Sequence, residues 1–125
     1  MPILREWRAE IRRPKKAAYV EYVRRTGIAG YRGTPGNLGA AVAVRDLDAD
    51  RSEIVTLSWW TSLDAIRAFA GDPVDQARYY PADAEYLLTR PATVLHYESS
   101  DLYSSAPPEK VAKTERPDGS LPKTV

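Results

Sequence analysis

The 125-residue sequence lacks cysteine altogether and contains one methionine, one phenylalanine and one histidine. The absence of cysteine excludes disulfides, thiolate metal sites and thiol nucleophiles, and it favours a reducing compartment, so we expect a cytoplasmic protein. A single histidine excludes a transition-metal site with several imidazole ligands, and we expect no bound metal. No apolar run reaches the roughly 20 residues of a membrane span, and the N-terminal pattern is not that of a signal peptide. We therefore expect neither membrane contact nor secretion.

A strong excess of one charge is also missing, since the net charge is only +1. Residues 1–36 are nevertheless basic, whereas residues 37–100 are acidic. Nucleic-acid-binding domains usually show a larger and more clustered basic excess, so we expect no nucleic-acid partner. The basic segment fits a solvated surface, an anionic ligand or the acidic part of a second subunit.

Four stretches have the residue pattern of β-strands. In the first, residues 3–12, side chains alternate, with Arg5 and Trp7 on one face and Arg8 on the other. Residues 53–60 instead carry apolar or small side chains on both faces. The predicted strands are 3–12, 38–45, 53–60 and 92–98.

The first helical region follows the first strand. Pro14 opens it, Tyr19 and Tyr22 share its apolar face, and Gly27 is expected to end it. The glycine-rich segment 27–39 then predicts a turn-rich connection. It matches neither the GxGxxG nor the GxxxxGK phosphate-binding pattern.

The second helical region follows the third strand. Thr61 or Ser62 caps its first helix, and Gly71 ends that helix. The Asp-Pro pair at 72–73 predicts a short second helix, which Pro81 ends.

The order βαββαβ is that of a ferredoxin-like α+β fold with the helices on one face of the sheet. Because helices cover one face only and strand 53–60 is apolar on both, we expect the second face to meet the same face of another copy. This arrangement predicts a homodimer. The domain comprises residues 1–99, while residues 100–125, rich in Pro, Ser and charge, have the composition of a tail.

His96 is the candidate for proton transfer, because an imidazole with an unperturbed pKa of roughly 6.5 exchanges a proton readily near neutrality. It shares a strand face with Val94, so the alternative is a hydrogen-bonded imidazole within the core. Trp59 and Trp60 are by default core residues as well. If one of them lines a cavity, it offers a flat wall to an aromatic substrate.

The junction Trp60-Thr61-Ser62, followed by apolar Ala65, Ile66 and Phe69, resembles the W-x-S junction of the antibiotic biosynthesis monooxygenase family. The segments TGIAGYRGTPGNLGA, YYPAD and HYE are similar to those of a subgroup of uncharacterised members. The similarity extends from residue 6 to residue 98. It implies a dimeric α+β barrel of ferredoxin-like subunits, each with a pocket between its sheet and its helices.

The resemblance also implies a type of chemistry. In the quinone-forming members, oxygen oxidises a polycyclic phenol without metal or flavin, and the deprotonated substrate supplies the electrons. Trp60 stands at the position of the family's pocket tryptophan, but the family's asparagine on strand one has no counterpart in Trp7-Arg8-Ala9. Haem-degrading relatives carry a histidine on the second helical segment, where this sequence reads Ala-Arg-Tyr-Tyr at 77–80, so no haem is expected. Other relatives are cyclases and isomerases.

We therefore expect an enzyme that oxidises, or transfers protons within, a small aromatic or polyketide-like metabolite without a bound cofactor. The predicted catalytic residues are His96, as the base, and Trp60, as the wall. Residue type and predicted location suggest four substrate-binding residues: Tyr22, Tyr80, Arg8 and Asn37. The alternative is a non-catalytic dimeric module whose cavity binds a metabolite or is filled by Tyr19, Tyr22 and Trp60.

Overall fold

A computed structural model describes residues 1–100 of the chain. Its four strands are β1 (Ile3–Arg12), β2 (Asn37–Asp46), β3 (Arg51–Trp60) and β4 (Leu95–Glu98). They form one antiparallel sheet in the order β2-β3-β1-β4, which confirms the predicted ferredoxin-like α+β fold. The predicted tail, apart from Ser100, lies outside the described residues.

The two faces of the sheet follow the predicted alternation. Directly paired residues of β1 and β3 share a face, as Trp7 and Thr56 do, and both are buried on the inner face beneath the helices. The same alternation buries Arg5 on the inner face and leaves Arg8 exposed on the outer face.

The first helical region is longer than the sequence predicted. It runs through a turn of 3₁₀ helix, an α-helix, a π-helical segment and a last α-helical turn: Arg13–Lys15, α1 (Lys16–Val23), Arg24–Ile28 and α2 (Ala29–Arg32). Gly27 therefore does not end the helix, and the prediction of a turn-rich connection is wrong for residues 27–32. The reason is tertiary packing, because Tyr31 is buried against the rings of Trp60 and Phe69 and this outweighs the low helix propensity of glycine.

The helix α3 (Leu63–Ala70) forms as predicted. Ser62 caps its N-terminus, since its Oγ accepts a hydrogen bond of 3.1 Å from the Ala65 N–H. Gly71 follows the helix with a φ of 78°, a left-handed conformation that favours glycine.

The short helix predicted for residues 72–81 does not form. The Ala77 N–H instead donates to the Ala92 carbonyl and the Val94 N–H donates to the Asp75 carbonyl, each at 2.8 Å, so this segment is extended and pairs with the chain before β4. A short helix, α4 (Asp83–Tyr86), comes only after Pro81, and the last strand begins at Leu95 rather than at residue 92.

No helix within residues 1–100 has the length and the apolar character required to cross a membrane.

The outer face of the sheet carries apolar side chains at its surface. Leu95 and Tyr97 are 59% and 46% exposed, and Val55, Leu57 and Trp59 on β3 are half-buried. This is the face that the sequence predicts to meet a second copy.

Candidate functional site

A hollow lies between the inner face of the sheet and the helices. The hollow has a free volume of about 30 Å³, and about 400 Å³ of space not filled by atoms lies within its bounds, part of it open solvent. Pockets for drug-sized ligands hold about 300–1,000 Å³, so the interior alone admits only a small chemical group. Among the lining residues Arg5, Tyr31 and Thr56 are buried, Tyr80 is half-buried and Arg78 is exposed. The hollow therefore has a polar interior and a mouth near Arg78 and Tyr80.

Arg5 is held on the inner face by hydrogen bonds to neutral acceptors, although only 1% of the residue is exposed. Nη1 donates to the Val74 carbonyl at 2.9 Å and Nη2 to the Gln76 carbonyl at 2.8 Å. Nε is the one buried side-chain nitrogen or oxygen within residues 1–100 that has no partner. Burial lowers the pKa of Arg5 below its ordinary value, and nearby Tyr31 and Asp75 oppose part of that shift.

The third acceptor of Arg5 is His96, whose Nε2 lies 3.0 Å from Nη1. Because a guanidinium only donates, Nε2 must be the unprotonated nitrogen, and the proton of the neutral imidazole is on Nδ1. Burial, followed by the charge of Arg5, lowers the pKa of His96 below 6.5. The imidazole is therefore neutral at pH 7, but Arg5 occupies its lone pair.

Two hydroxyl groups lie beside each other in the interior. The Tyr31 hydroxyl and the Thr56 Oγ1 are 3.2 Å apart, and both residues are buried and line the hollow. Either hydroxyl is able to donate to the other, and a rotation of its O–H turns it into a donor for a bound molecule.

Aromatic rings and a second cation form the wall near the mouth. The Cζ of Arg78 lies 4.9 Å from the ring centroid of Phe69 and 5.4 Å from that of Tyr80, while the Cζ of Arg5 lies 5.9 Å from the Phe69 centroid. Gly30 allows the helical region to approach this wall, since a Cβ there would lie 2.7 Å from the Tyr80 hydroxyl and 3.1 Å from Phe69 Cε1.

Asp83 is a buried carboxylate that also lines the hollow. Its Oδ1 accepts a hydrogen bond of 2.9 Å from the Tyr19 hydroxyl and its Oδ2 one of 2.6 Å from the Tyr80 N–H. Burial, with the charge of Asp83 second, raises the pKa of Tyr19 well above its ordinary value. Tyr19 therefore remains a donor to Asp83 at all physiological pH values.

Hydrogen-bond donors dominate the polar groups of the hollow. Within residues 1–100, no three His, Asp or Glu side chains come together as metal ligands would. The guanidinium groups of Arg5 and Arg78 and the hydroxyls of Tyr31 and Tyr80 suit an electron-rich oxygen of a ligand.

The two predicted catalytic residues lie on the same face of the sheet but do not line the hollow. His96 pairs with Arg5 in the ladder and Arg5 pairs with Ser58, which places His96 on the face that carries Trp60. Trp60 is 0% exposed, its Nε1 donates to Ser58 Oγ at 2.9 Å, and its ring lies 6.0 Å from that of Tyr31. Trp60 supports the wall from behind, and His96 contacts the hollow through Arg5.

Of the two predicted substrate-binding tyrosines, Tyr80 lines the hollow and Tyr22 does not. The Tyr22 hydroxyl accepts a hydrogen bond of 3.0 Å from the Ala82 N–H, and its ring stacks on those of Tyr19 and Tyr86. Its position is therefore that of a packing residue between the first helical region and α4.

The other two predicted substrate-binding residues lie away from the hollow. Asn37 donates to the Trp59 carbonyl at 3.2 Å and stabilises the irregular start of β2. Arg8 lies on the outer face because successive strand residues point to opposite sides, and its half-exposed side chain pairs with Glu6 and Glu53.

Sequence reasoning missed most of the polar lining of the hollow. The alternation along the first strand places Arg5 on the inner face. A charge among inward-facing apolar residues is unusual, and it was the one sequence signal for the polar lining. Tyr31 lies in a glycine-rich segment that predicts a turn, and Asp83 follows Pro81, which predicts the end of a helix. Neither of these two carried a sequence signal for the site.

No protein-family model matches the sequence, and none of the curated proteins does. Among solved structures, the chain is similar to one from Bacillus cereus described as a candidate antibiotic biosynthesis monooxygenase, with a TM-score of 0.56 and 15% identity over 83% of this chain and 98% of that chain. It is also similar to Rv0793 from Mycobacterium tuberculosis, with a TM-score of 0.55 and 23% identity over 83% and 100% of the two chains. These similarities establish a common fold, which is the fold that the resemblance at residues 60–62 implied.

Proposed function

We propose that the chain is an enzyme that transfers a proton from a small aromatic or polyketide-like molecule at the hollow, without a bound cofactor, and so permits its oxidation or cyclisation. The observation that carries the proposal is the hollow itself. It combines an aromatic wall, Phe69 and Tyr80, with the donors Arg5 and Tyr31 in a buried interior. Such donors stabilise negative charge that develops on a substrate oxygen. The description of the Bacillus cereus neighbour supports the same class of reaction.

The oxidative form of the reaction balances without a further reductant. An activated CH₂ of a polycyclic phenol loses a proton, and the resulting carbanion reduces O₂. The carbon becomes a carbonyl with one oxygen atom of O₂, while the other leaves as water with the two hydrogens, so that the substrate supplies all the electrons. In the non-oxidative form, the proton returns to a different atom of the substrate.

His96 is the proposed proton acceptor, but its base function requires a rearrangement. Nε2 accepts a hydrogen bond from Arg5, and this bond must open before Nε2 takes a proton. A substrate oxygen that attracts the guanidinium would open it, because a charge-assisted hydrogen bond to an oxyanion is stronger than one to a neutral imidazole.

We also propose that two copies associate through the outer faces of their sheets. Leu95 and Tyr97 are exposed there beside half-buried Leu57 and Trp59. Burial of such side chains against a second copy is favourable by about 25 cal/mol per Å² of apolar surface removed from water. A self-complementary contact of this kind forms a closed dimer.

The second candidate function is a non-catalytic module that binds a metabolite. It is favoured by the small interior, about 30 Å³, and by the hydrogen bond that occupies His96. In that case the hollow binds its ligand and the ligand leaves unchanged.

Turnover of a model substrate distinguishes these two candidates. We expect the protein to accelerate oxygen uptake by 1,8-dihydroxyanthrone, or, without oxygen, to accelerate exchange of its CH₂ hydrogens in D₂O. Thr56→Val removes an interior hydroxyl at nearly constant volume and is expected to slow the reaction, whereas the same change at exposed Thr93 is the control. Acceleration of neither process would contradict the enzymatic proposal and favour the binding module.

A further inference from the structure

Arg5 is a buried cation without an anionic partner. None of the ion pairs formed among residues 1–100 includes it, although 99% of the residue is buried. Buried charges are normally paired, because the loss of hydration is expensive unless an opposite charge compensates for it. No carboxylate among residues 1–100 therefore forms an ion pair with the guanidinium, and Asp75 acts on its charge only from a longer distance.

The hydrogen bonds of Arg5 fix the guanidinium and use three of its five N–H groups. Val74, Gln76 and His96 supply three neutral acceptors, which hold both terminal nitrogens in place. Nε has no partner, and buried polar atoms without a partner are rare. The guanidinium is thus held in a fixed orientation, and the side chain of Arg5 is part of the wall of the hollow.

We propose that Arg5 binds the carboxylate of a small aromatic or polyketide acid whose head group enters the interior of the hollow. The inference rests on the proposed role of the hollow as a ligand site. The free volume of the hollow, about 30 Å³, is far below the roughly 300–1,000 Å³ of a drug-sized ligand pocket, so only a small head group enters it. The hydroxyls of Tyr31 and Thr56, 3.2 Å apart, are available to its second oxygen.

The remaining lining residues fit the body of such an acid. Phe69 and Tyr80 offer flat faces towards the mouth, and exposed Arg78 adds positive charge there. Asp83 is the one carboxylate of the lining, and its two oxygens accept hydrogen bonds from Tyr19 and from the Tyr80 N–H. Asp83 forms no ion pair with Arg5, because both of its oxygens bind these two donors.

A titration with benzoate and its uncharged isostere benzamide tests the proposal. The measurement is the ¹H–¹⁵N signal of the Arg5 Nε–H in the wild-type protein. We expect benzoate to shift this signal to saturation and to bind at least about tenfold more tightly than benzamide, since a charged acceptor makes a stronger hydrogen bond with guanidinium. Arg5→Gln should abolish the preference, and Arg24→Gln, at an arginine whose side chain is 64% exposed, should retain it.

An Arg5 signal that does not respond to benzoate, or equal affinities for the two probes, would overturn the proposal. The wild-type signal decides the matter even if Arg5→Gln fails to fold. Binding is measured without turnover, so this failure is distinct from failure of the enzymatic proposal. A protein that acts on 1,8-dihydroxyanthrone but ignores benzoate keeps its function and loses the carboxylate site.

Discussion

Arg5 and His96 are 91 residues apart in the chain and are joined by a hydrogen bond of 3.0 Å between Nη1 and Nε2. The bond exists because β4 pairs with β1 and places the two residues opposite each other. It gives His96 a definite tautomer and gives Arg5 a fixed orientation. The only histidine of the chain is therefore linked to the hollow through Arg5, whose Nε has no hydrogen-bond partner.

The first prediction concerns the pH dependence of stability. Burial and the charge of Arg5 lower the pKa of His96 in the folded protein below the unfolded value of 6.5. The folded state binds this proton more weakly, so the stabilisation is complete above pH 6.5 and is lost as the pH falls through the lower, folded pKa. Urea unfolding of the wild type should therefore give a smaller free energy of unfolding at pH 5 than at pH 7.5.

His96→Gln is the matched control, because a Gln carbonyl oxygen accepts from Arg5 but does not titrate. The variant should lose less stability between the two pH values than the wild type does. An identical loss in both proteins would show that other groups cause the pH dependence.

His96→Gln and His96→Ala together separate a base from a positioning residue. If His96 is the base, both variants should lose turnover of 1,8-dihydroxyanthrone while benzoate binding persists in the Gln variant. If His96 only positions Arg5, the Gln variant should retain turnover and the Ala variant should weaken benzoate binding. The measurements are kcat, KM and the benzoate Kd of each variant.

A further prediction concerns the close approach of the first helical region to the wall of the hollow. A Cβ at Gly30 would lie 2.7 Å from the Tyr80 hydroxyl and 3.1 Å from Phe69 Cε1. Gly30→Ala should therefore destabilise the protein by about 1–3 kcal/mol, as overpacking does. Gly27→Ala is the control, because nothing lies within 4 Å of the Cβ it would add. Equal denaturation midpoints for the two variants would argue against this packing.

Trp60 should act on stability more than on ligand binding. It is fully buried, its Nε1 bonds Ser58 and its ring contacts those of Tyr31 and Phe69. Trp60→Ala is expected to lower the free energy of unfolding by about 3–5 kcal/mol, measured by urea titration. A stable Trp60→Ala protein that has lost 1,8-dihydroxyanthrone turnover would instead assign Trp60 to the substrate wall.

The proposed dimer makes a prediction about one leucine on each side of the molecule. Leu95 is 59% exposed on the outer face. The Leu95→Lys variant should lose self-association, because the new charge would be buried between the two sheets. Leu63, 41% exposed on α3, should tolerate the same change. Sedimentation velocity measures both. A wild type that sediments as a monomer would contradict the dimer.

The sheet was predictable from the sequence because alternation along β1 determines which of its residues face inwards and because residues 53–60 have the composition of a strand. The length of the first helical region was not, because Gly27 reads locally as a helix end and only the distant partners of Tyr31 explain why the helix continues. The extended segment around Ala77 depends in the same way on pairing with Ala92.

The candidate site was less predictable than the fold. The residue type of Tyr80 predicts its place in the site correctly, whereas the charge of Arg8 misleads, because its own strand pattern places it on the outer face. Arg5 stands at a position of the first strand that faces inwards, although arginine is usually exposed. Its partners Val74, Gln76 and His96 come together only through the tertiary structure.

Chemical-shift mapping with 1-naphthol, a neutral phenol, tests most directly whether the hollow is the ligand site. We expect saturable shifts of backbone amides around the hollow, at Val23, Thr56 and Phe69, with little change at Leu95 on the outer face. Shifts centred on Leu95, or none at the solubility limit of the phenol, would contradict it.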